Sequence, residues 1–414
     1  MKITLISLLL LGILLPYSGN AQETKIIETN SQTIRIDPAV ANGGSSSQLF
    51  TEINYIPLET TKESLFGSIT KLEVAGDNFI IYDDDTECIL IFDKAGKFQS
   101  KISAAKMAGK AENSKIERFD GFRLLRNKGE YVIQISFKGK AYNYDTKGAL
   151  LKVNKIKDKA PAFFEQYDFN DSIKVVSFYQ DKTSEDNSEY RYALLKNDRI
   201  LSKYMKINND KNSSMGNFAV GGPSFIGTDD PNVRNTTTYY EYKIYKITPE
   251  GMSVAYDIVF PSIYALPGDF NTNPIYSGKQ MDYFFRNAGK VYGIGYTYQI
   301  GNYLYFKCGS LGSSIRKNGS FVYNLKDQNL ISLNRLDIDS LSHFLPFISK
   351  RWEIDLQKYN NGYFYTSFSS LEMFTYYAAE KKRNHKYPAV MESYFRTGNK
   401  KDNPVIVQLK PKTN

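Results

Sequence analysis

A short motif that recurs about every fifty residues is the feature that most restricts the fold of this chain. Each copy consists of an aromatic or β-branched run, a polar turn and a second apolar run. The copies read IFDKAGKF (91–98), YNYDTKGALL (142–151), YALLKNDRIL (192–201), YKITPEGMSV (245–254) and, more loosely, VYNLKDQNLI (322–331). Two such runs around a Gly, Asp or Asn turn form a β-hairpin, because these residues tolerate the positive φ of tight turns. A hairpin repeated at this period predicts a β-propeller, a ring of small four-stranded sheets.

The pattern of apolar runs predicts an all-β chain that forms a six-bladed β-propeller of four-stranded antiparallel sheets. The predicted strands lie at 68–74, 79–83, 88–93 and 97–102 in blade 1; 119–125, 130–136, 140–145 and 148–153 in blade 2; 162–169, 172–178, 190–196 and 200–207 in blade 3; 238–247 and 251–260 in blade 4; and 302–309, 320–325 and 330–336 in blade 5. An insertion rich in Pro, Asn and Gly, around 261–280, delays the fifth blade.

The last blade has only three strands in its own part of the sequence, at 344–349, 362–368 and 404–409. The one strand left unassigned is 51–58, ahead of the first blade. We therefore predict that this N-terminal strand completes the last sheet and closes the ring, which removes an exposed edge. Within the last blade, apolar residues at helical spacing predict a short helical insertion over 369–382.

The first 21 residues have the features of a secretory signal peptide: Lys2, an apolar run over 3–15 and small residues up to Ala21. We expect cleavage near Ala21 and an exported, soluble, monomeric protein, in the periplasm or at the cell surface. The apolar run is shorter than the roughly twenty residues that a membrane span needs, and we expect no transmembrane segment in the mature chain. We interpret 22–50 as an N-terminal extension and linker, with a flexible connector at 43–47, and 51–414 as a single propeller domain.

The two ends of the mature chain carry a family resemblance. The run FTEINYIPLETTKESLFGSITKLEV (50–74), the following IYDDD and CILIFDKAGKF, and the ending KKDNPVIVQLK (400–410) resemble six-bladed propellers that Bacteroides-type bacteria export in large numbers. Those proteins are commonly described as TolB-like or NHL-like, and most have no assigned activity. The likeness covers nearly the whole mature chain. It departs after blade 1, where SAAKMAGKAENSKIERFDGF (103–122) stands in place of a Gly-rich loop and retains only its Gly109.

The sequence is poor in residues for metal or acid–base chemistry. His343 and His385 are the only histidines, and they lack the spacing of a zinc site. We expect His343 at the rim or in the core, and His385 in solvent. The acidic run 83–85 leaves Ca²⁺ as an alternative to having no cofactor, since Ca²⁺ takes several oxygen ligands, but a turn between strands is favoured. Cys88 and Cys308 fall in strands of different blades, which predicts two buried thiols rather than a disulfide.

The net charge of +9 is spread along the chain without a basic helix, so nucleic acid is not an expected partner. Lysine and arginine recur in the links between successive blades, on the face where propellers bind ligands. Exposed loops are often rich in lysine without binding anything, but a basic side of the funnel would attract an anion. The candidate ligand-binding residues are Lys106, Lys110, Arg118, Phe119, Lys155, Lys157 and Trp352. Arg118 is expected to grip a carboxylate or sulfate, with Phe119 and Trp352 stacking on a sugar ring.

Two functions follow from these observations. The first is a non-catalytic exported propeller that binds a ligand, anionic or carbohydrate, or an envelope protein across its funnel face, with no catalytic residue assigned. The alternative is a hydrolase or lyase that acts on a carbohydrate or lactone with carboxylates or one Ca²⁺ in the central pore, because propellers host both kinds of function. Convergent carboxylates or amides in the channel favour the enzyme, whereas an aromatic or apolar channel favours binding.

Overall fold

The computed structural model describes residues 24–28, 31–109, 117–127, 129–155, 163–178, 190–206, 220, 223–312, 315, 319–350 and 355–414. These residues form six separate sheets, and the predicted six-bladed β-propeller is confirmed. Every blade contains four antiparallel strands. Blades 4 and 5 each carry a fifth strand, which pairs in parallel with the outermost one.

The first half of the chain builds three blades, each with its innermost strand first. The N-terminal segment contributes β1 (Gln32–Arg35), β2 (Asn42–Ser45), helix α1 (Ser46–Leu49) and β3 (Phe50–Pro57). Blade 1 consists of β4 (Lys71–Ala75), β5 (Asn78–Asp83), β6 (Cys88–Asp93) and β7 (Phe98–Ser103), followed by helix α2 (Ala104–Met107). Blade 2 consists of β8 (Gly121–Asn127), β9 (Glu130–Phe137), β10 (Lys140–Tyr144) and β11 (Leu150–Lys155). Blade 3 consists of β12 (Phe163–Asp168), β13 (Ile173–Phe178), β14 (Tyr190–Lys196) and β15 (Arg199–Lys206).

The second half builds the other three blades. Blade 4 consists of β16 (Ile226–Gly227), β17 (Arg234–Thr236), β18 (Lys243–Thr248) and β19 (Gly251–Val259). The insertion after it contains a 3₁₀ turn (Pro274–Tyr276) and helix α3 (Gln280–Arg286). Blade 5 consists of β20 (Val291–Ile300), β21 (Tyr303–Ser310), β22 (Ser320–Asn324) and β23 (Leu330–Asp337). Blade 6 consists of β24 (Lys358–Asn360), β25 (Tyr363–Phe368), helices α4 (Ser370–Glu380) and α5 (Ala389–Thr397), and β26 (Val405–Pro411).

Both ends of the chain complete blade 6, as predicted. β26 lies between β25 and β3 and pairs antiparallel with each, with Val407 opposite Tyr55. The side chains of Val405, Ile406, Val407 and Leu409 are fully buried. The N-terminal strand β3 is thus the outermost strand of the last blade, and the ring has no unpaired seam between its first and last strands.

The prediction that residues 344–349 form the first strand of blade 6 is wrong. The strand β24 takes that position in the sheet. His343 and Phe344 have φ values of 51° and 57°, a left-handed conformation that interrupts a strand. Leu345 is nevertheless completely buried in the core shared by blades 5 and 6. A buried apolar loop and a short buried strand have the same composition, so periodicity alone could not separate them.

Residues 43–47 are not the flexible connector that we expected, because they belong to β2 and α1. We call residues 24–28 and 31–45 the N-terminal strap. Its strand β1 pairs with β19 of blade 4, β2 pairs with β23 of blade 5, and Thr24 N donates to Lys203 O of blade 3 at 3.0 Å. A Cβ atom at Gly43 would lie 2.9 Å from the Arg335 carbonyl oxygen. Glycine is therefore needed here for close approach to β23, a use that composition alone does not distinguish from a linker.

Helix α4 confirms the helix predicted over 369–382. Its first turn is closed by a capping box, in which the Glu372 carboxylate accepts from Ser369 N at 2.9 Å and Ser369 Oγ accepts from Glu372 N at 3.2 Å. Met373 of α4 and Met391 of α5 are fully buried in the core of blades 5 and 6. The second helix, α5, was not predicted.

Cys88 and Cys308 are buried thiols in blades 1 and 5, as predicted. Burial raises the pKa of the Cys308 thiol far above its ordinary value. A thiol that resists ionisation is a poor nucleophile and a poor metal ligand. Cys308 is therefore a core residue rather than a reactive one.

Candidate functional site

The innermost strands of the six blades begin at one face of the ring, because each is reached by a link from the preceding blade. We call this side the entry face. Lys71 is the first residue of β4, and Lys358 is the first residue of β24. Their side chains are 43% and 29% exposed. Two lysines from blades 1 and 6 are therefore accessible at the entry end of the channel.

Glu73 of β4 connects these two lysines. Its Oε2 accepts a hydrogen bond from Lys358 Nζ at 2.5 Å, and its Oε1 lies 3.6 Å from Lys71 Nζ. Burial raises the pKa of Glu73, but the charges and hydrogen bonds of Lys358 and Lys71 outweigh it, so the net pKa lies below the ordinary value. Glu73 is thus a carboxylate held in its ionised form between two blades.

Glu165 of β12 supplies a second carboxylate, from blade 3. It accepts a hydrogen bond from Ser224 N. Burial raises the pKa of Glu165, although the Ser224 hydrogen bond and the charges of Lys71 and Lys358 act in the opposite direction. The charges of both lysines act on the Glu165 carboxylate, so these three groups lie near enough to interact electrostatically. We call Lys71, Glu73, Glu165 and Lys358 the channel cluster.

Aromatic rings lie on the innermost strands close to this cluster. A Cβ atom on Gly227 of blade 4 would lie 3.4 Å from Cδ1 of Tyr359 in blade 6, so the Tyr359 ring extends past blade 5 to the innermost strand of blade 4. The Arg234 guanidinium carbon lies 3.7 Å from the centroid of the Tyr167 ring and the Arg234 side chain donates to the Tyr167 hydroxyl. Tyr167 and Tyr359 thus place aromatic rings on the innermost strands of blades 3 and 6, near the carboxylates of the channel cluster. We associated these two features with different functions.

A small buried cavity of about 10 Å³ lies between blades 5 and 6. Within it, Lys307 Nζ contacts Asp355 Oδ1 at 2.6 Å, and these side chains are 3% and 0% exposed. Lys307 Nζ also lies 4.0 Å from the centroid of the Tyr296 ring. Tyr305 Oη, Ser320 Oγ and Asp355 Oδ2 have no hydrogen-bond partner among the residues that the structure describes. A cavity of this size has room for at most one water molecule, so it does not bind a larger ligand.

The predicted cations lie on the entry face where the structure describes them. Lys106 is exposed in α2, and Lys155 is exposed at the end of β11. Arg118 is 79% exposed, with its Nε atom 3.7 Å from Glu87 Oε1, so its charge has an acidic neighbour. Lys110, Lys157 and Trp352 lie outside the described residues. Ligand binding by this set stays a prediction.

Phe119 does not present the stacking surface that we expected. It is 9% exposed and packs against Tyr82 and Phe137, with ring centroids 6.2 and 6.1 Å away. Its backbone N–H donates to Glu87 Oε2 at 3.1 Å. The sequence placed Phe119 correctly at the start of blade 2, but the adjacent blade encloses its ring.

The acidic run on blade 1 forms the turn between β5 and β6 that we favoured. The carboxylate oxygens of Asp83, Asp84 and Asp85 lie within 4.8 Å of one another. Asp83 is fully buried and accepts from Thr86 Oγ1 at 2.6 Å, while Asp84 accepts from Thr70 Oγ1 at 2.5 Å. These carboxylates are bonded to neighbouring protein donors, and a calcium ion here stays a prediction.

His385 is not in solvent, contrary to the prediction. Its side chain is only 14% exposed, and its Nε2 lies 3.2 Å from Glu380 Oε2. Its ring stacks on Phe344, with centroids 4.0 Å apart and planes 13° from parallel. The basic run before His385 suggested exposure, but a neighbouring loop covers the ring. His343, beside Phe344, is half-buried.

Sequence reasoning missed the channel cluster, although β4 carried a signal for it. Lys71 and Glu73 alternate with Leu72 and Val74, which are buried. Because alternate residues of a strand face opposite sides, charges on one side of an innermost strand indicate a polar channel. What one sequence could not indicate is that Glu165 and Lys358, which follow Glu73 by 92 and 285 residues, come near enough to interact electrostatically.

Comparisons with known proteins agree with this architecture. The sequence profile of a domain of unknown function, DUF4934, matches residues 31–410. The chain belongs to this family. A search of curated proteins found no match. No helix within the described ranges is both long and apolar enough to cross a membrane.

One solved structure shares the fold of this family member at low sequence identity, and a second is more distant. A Bacteroides fragilis protein named "Putative exported protein" has a TM-score of 0.63 at 11% identity, over 92% of this chain and 100% of that chain. A DUF4221 family member from Bacteroides vulgatus has a TM-score of 0.39 at 11% identity, over 88% and 97% of the two chains. At these identities the first likeness concerns the fold alone, and the second is too distant to support an argument.

Proposed function

We propose that this protein is an exported, non-catalytic binding propeller that holds an anionic ligand, such as an acidic glycan, at the entry end of its channel. The observation that carries the proposal is the channel cluster, in which two partly exposed lysines flank one nearly buried carboxylate. Lys71 and Lys358 contribute two positive charges, and Glu73 contributes one negative charge. Burial raises the pKa of Glu165, so protonation of this carboxylate as the pH falls gives the cluster an excess of positive charge.

The surroundings of the cluster suit recognition of a sugar acid. Lys71 Nζ lies 5.0 Å from the Phe122 ring centroid, and Tyr359 directly follows Lys358 in β24. Aromatic faces pack against the apolar faces of sugar rings, while ammonium groups donate to carboxylates. Lys106, Arg118 and Lys155 extend the positive charge outward on the same face, and they form the proposed rim of the site.

The test is a binding measurement with a defined pair of probes. A galacturonic acid oligomer and a neutral galactose oligomer are titrated into the protein by calorimetry at low and at moderate salt. We expect the acidic oligomer to bind, with an affinity that falls as salt rises. Lys71→Ala should weaken this binding about tenfold, because hydrogen bonds to charged groups contribute roughly 1.5–3 kcal/mol. Arg118→Ala should weaken it less, since Arg118 lies at the rim beside Glu87.

The matched control is Lys246→Ala, which removes an exposed lysine from the third strand of blade 4. This variant has the same change in net charge but should bind like the wild type. Equal binding of acidic and neutral oligomers, or an equal loss in Lys71→Ala and Lys246→Ala, would reject the channel as an anion site.

A hydrolase is the second candidate, and the opposite pKa shifts of the two glutamates favour it. Glycosidases pair a carboxylic acid that stays protonated with a carboxylate that stays ionised. Glu165 would take the first role and Glu73 the second. The test is product release from the same acidic oligomer, compared between wild type and Glu165→Gln. Turnover lost in Glu165→Gln while binding is retained would favour the hydrolase over the binding protein.

We also propose that the protein is exported and that it is a TolB-like or NHL-like propeller. A basic start, an apolar run and small residues near Ala21 favour a cleaved signal peptide. The Bacteroides fragilis protein with the similar fold carries the name "Putative exported protein". The TolB-like or NHL-like character rests on the resemblance of the chain ends. N-terminal sequencing of the protein from its native host tests the cleavage site.

A further inference from the structure

The outer edges of the blades are not equally covered. The N-terminal strap adds a fifth, parallel strand to blades 4 and 5. On blade 1, the Glu59 carboxylate accepts from Phe98 N of the outermost strand β7 at 3.0 Å. On blade 3, Thr24 of the strap donates to β15. Blade 2 ends at β11, and no strand within the described part of the chain pairs with its outer side.

The strand β11 is exposed on both faces. Leu150, Leu151 and Val153 are 53%, 58% and 43% exposed, and every residue of the strand except Asn154 is exposed. The pairing with β10 contains an irregularity at Leu151, but from Lys152 to Lys155 the register is regular. An unpaired edge of this kind presents backbone donors and acceptors to another strand.

The charge around this edge is positive and unmatched. Lys140, Lys147, Lys152 and Lys155 are exposed, and none of the four forms an ion pair with another residue in the described ranges. A second copy of the chain would bring the same lysines against one another. Charge complementarity therefore selects an acidic partner over self-association.

We propose that β11 is a docking edge for an extended, acidic peptide segment of another protein, which adds to blade 2 as a fifth strand. β1 and β2 demonstrate that the outermost strands of this ring accept such an addition. Apolar side chains of the peptide would face Val153, and acidic side chains would face Lys152 on the opposite side, because neighbouring residues of a strand alternate. This surface lies on the outside of the ring and does not depend on the ligand proposed for the channel.

The probe is a short fluorescein-labelled peptide of alternating valine and glutamate, titrated into the full-length protein by anisotropy. One comparison peptide carries lysine in place of glutamate, and another carries a central proline, which cannot complete strand pairing. We expect the acidic peptide to bind, to lose affinity as salt rises, and to slow amide exchange within 150–155. Val153→Glu should weaken binding about tenfold or more, because it replaces the apolar contact with the valines of the peptide by a carboxylate that repels an acidic partner.

Leu201→Glu is the matched control, because Leu201 is 54% exposed on the outermost strand of blade 3. Both substitutions replace an exposed apolar residue by glutamate, and both variants should unfold like the wild type. Binding that is lost only in Val153→Glu, with protection confined to 150–155, supports the docking edge. Equal binding of the three peptides, no binding of the acidic peptide, or a dimer that Val153→Glu dissociates would overturn it.

Discussion

Glu73 and Glu165 have the same side chain, yet their surroundings shift their pKa in opposite directions. Glu73 contacts two lysines, at 2.5 and 3.6 Å, and its pKa is lowered. Glu165 accepts from the amide of Ser224, and burial is the largest influence on its pKa, which is raised. Because only Glu165 titrates closer to neutral pH, it controls the net charge of the channel cluster.

This difference predicts a pH dependence of anion binding at the proposed site. As pH falls toward the raised pKa of Glu165, protonation removes a negative charge, so affinity for the galacturonic acid oligomer should rise. The Glu165→Gln variant should bind the oligomer tightly at every pH at which the oligomer stays ionised. Its affinity should therefore change less with pH than that of the wild type. Calorimetric titrations of both proteins at several pH values measure this dependence of affinity on pH. A wild-type affinity that does not change with pH, or an unchanged slope in Glu165→Gln, would contradict the assignment.

The buried pair Lys307–Asp355 predicts a large effect on stability. Asp355→Ala leaves the Lys307 charge buried without its carboxylate, and such losses cost about 3–5 kcal/mol. Urea denaturation should show this decrease in the free energy of unfolding. The double variant Lys307→Met/Asp355→Ala should recover a good part of it, because no charge then remains buried. A double variant as unstable as Asp355→Ala would mean that the cavity, rather than the unpaired charge, causes the loss.

Among the elements, the N-terminal strap shows how a strand outside the predicted domain becomes part of the core. Along β1 the side chains alternate: Thr33 is exposed, whereas Ile34 is 1% exposed and Ile36, just beyond β1, is 3% exposed. Both isoleucines join the apolar cluster between blades 4 and 5. The strap therefore stabilises these blades through burial as well as through its parallel pairing.

Ile34→Ala should lower the free energy of unfolding by about 2–4 kcal/mol, as is usual when a fully buried aliphatic side chain is truncated. Thr33→Ala, the neighbouring change on the exposed side of β1, should stay within about 0.5 kcal/mol of the wild type. Thermal and urea denaturation of the two variants provide the comparison. Equal stability of the two variants would mean that burial of the strap side chains does not stabilise the core.

Regular elements were predictable where hydrophobic alternation and turn residues agree. The strands of blades 1 to 3 begin and end within a few residues of the predicted positions, because each hairpin carries its own Gly, Asp or Asn turn. The strap, α5 and β24 were not predicted, since each is short and gains its stability from tertiary contacts. At the candidate site, the sequence indicated the cations on the entry face. It could not indicate the channel cluster, because this cluster forms from strands that are far apart in the sequence.

At the scale of the whole ring, polar contacts cross several boundaries between blades. Lys358 bonds to Glu73 between blades 6 and 1, Asn235 Nδ2 donates to Thr297 O at 2.7 Å between blades 4 and 5, and Lys307 contacts Asp355 between blades 5 and 6. Neighbouring blades are thus joined by directional contacts as well as by apolar cores. We expect the blades to unfold together, because each shares its interfaces with two others.

Closure of the ring by β26 gives the sharpest test of this cooperativity. Truncation after Asn403 removes the strand between β25 and β3, and with it four fully buried side chains. We expect this variant to lose the cooperative unfolding transition of the entire ring, including blades 2 and 3. Truncation after Lys412 is the control, since it keeps β26 and removes, among the described hydrogen bonds, those from Asn302 N to Thr413 O and from Tyr303 Oη to Asn414 O. Circular dichroism during heating distinguishes the outcomes: a sharp transition retained after truncation at Asn403 would mean that the blades fold independently and that closure adds only local stability.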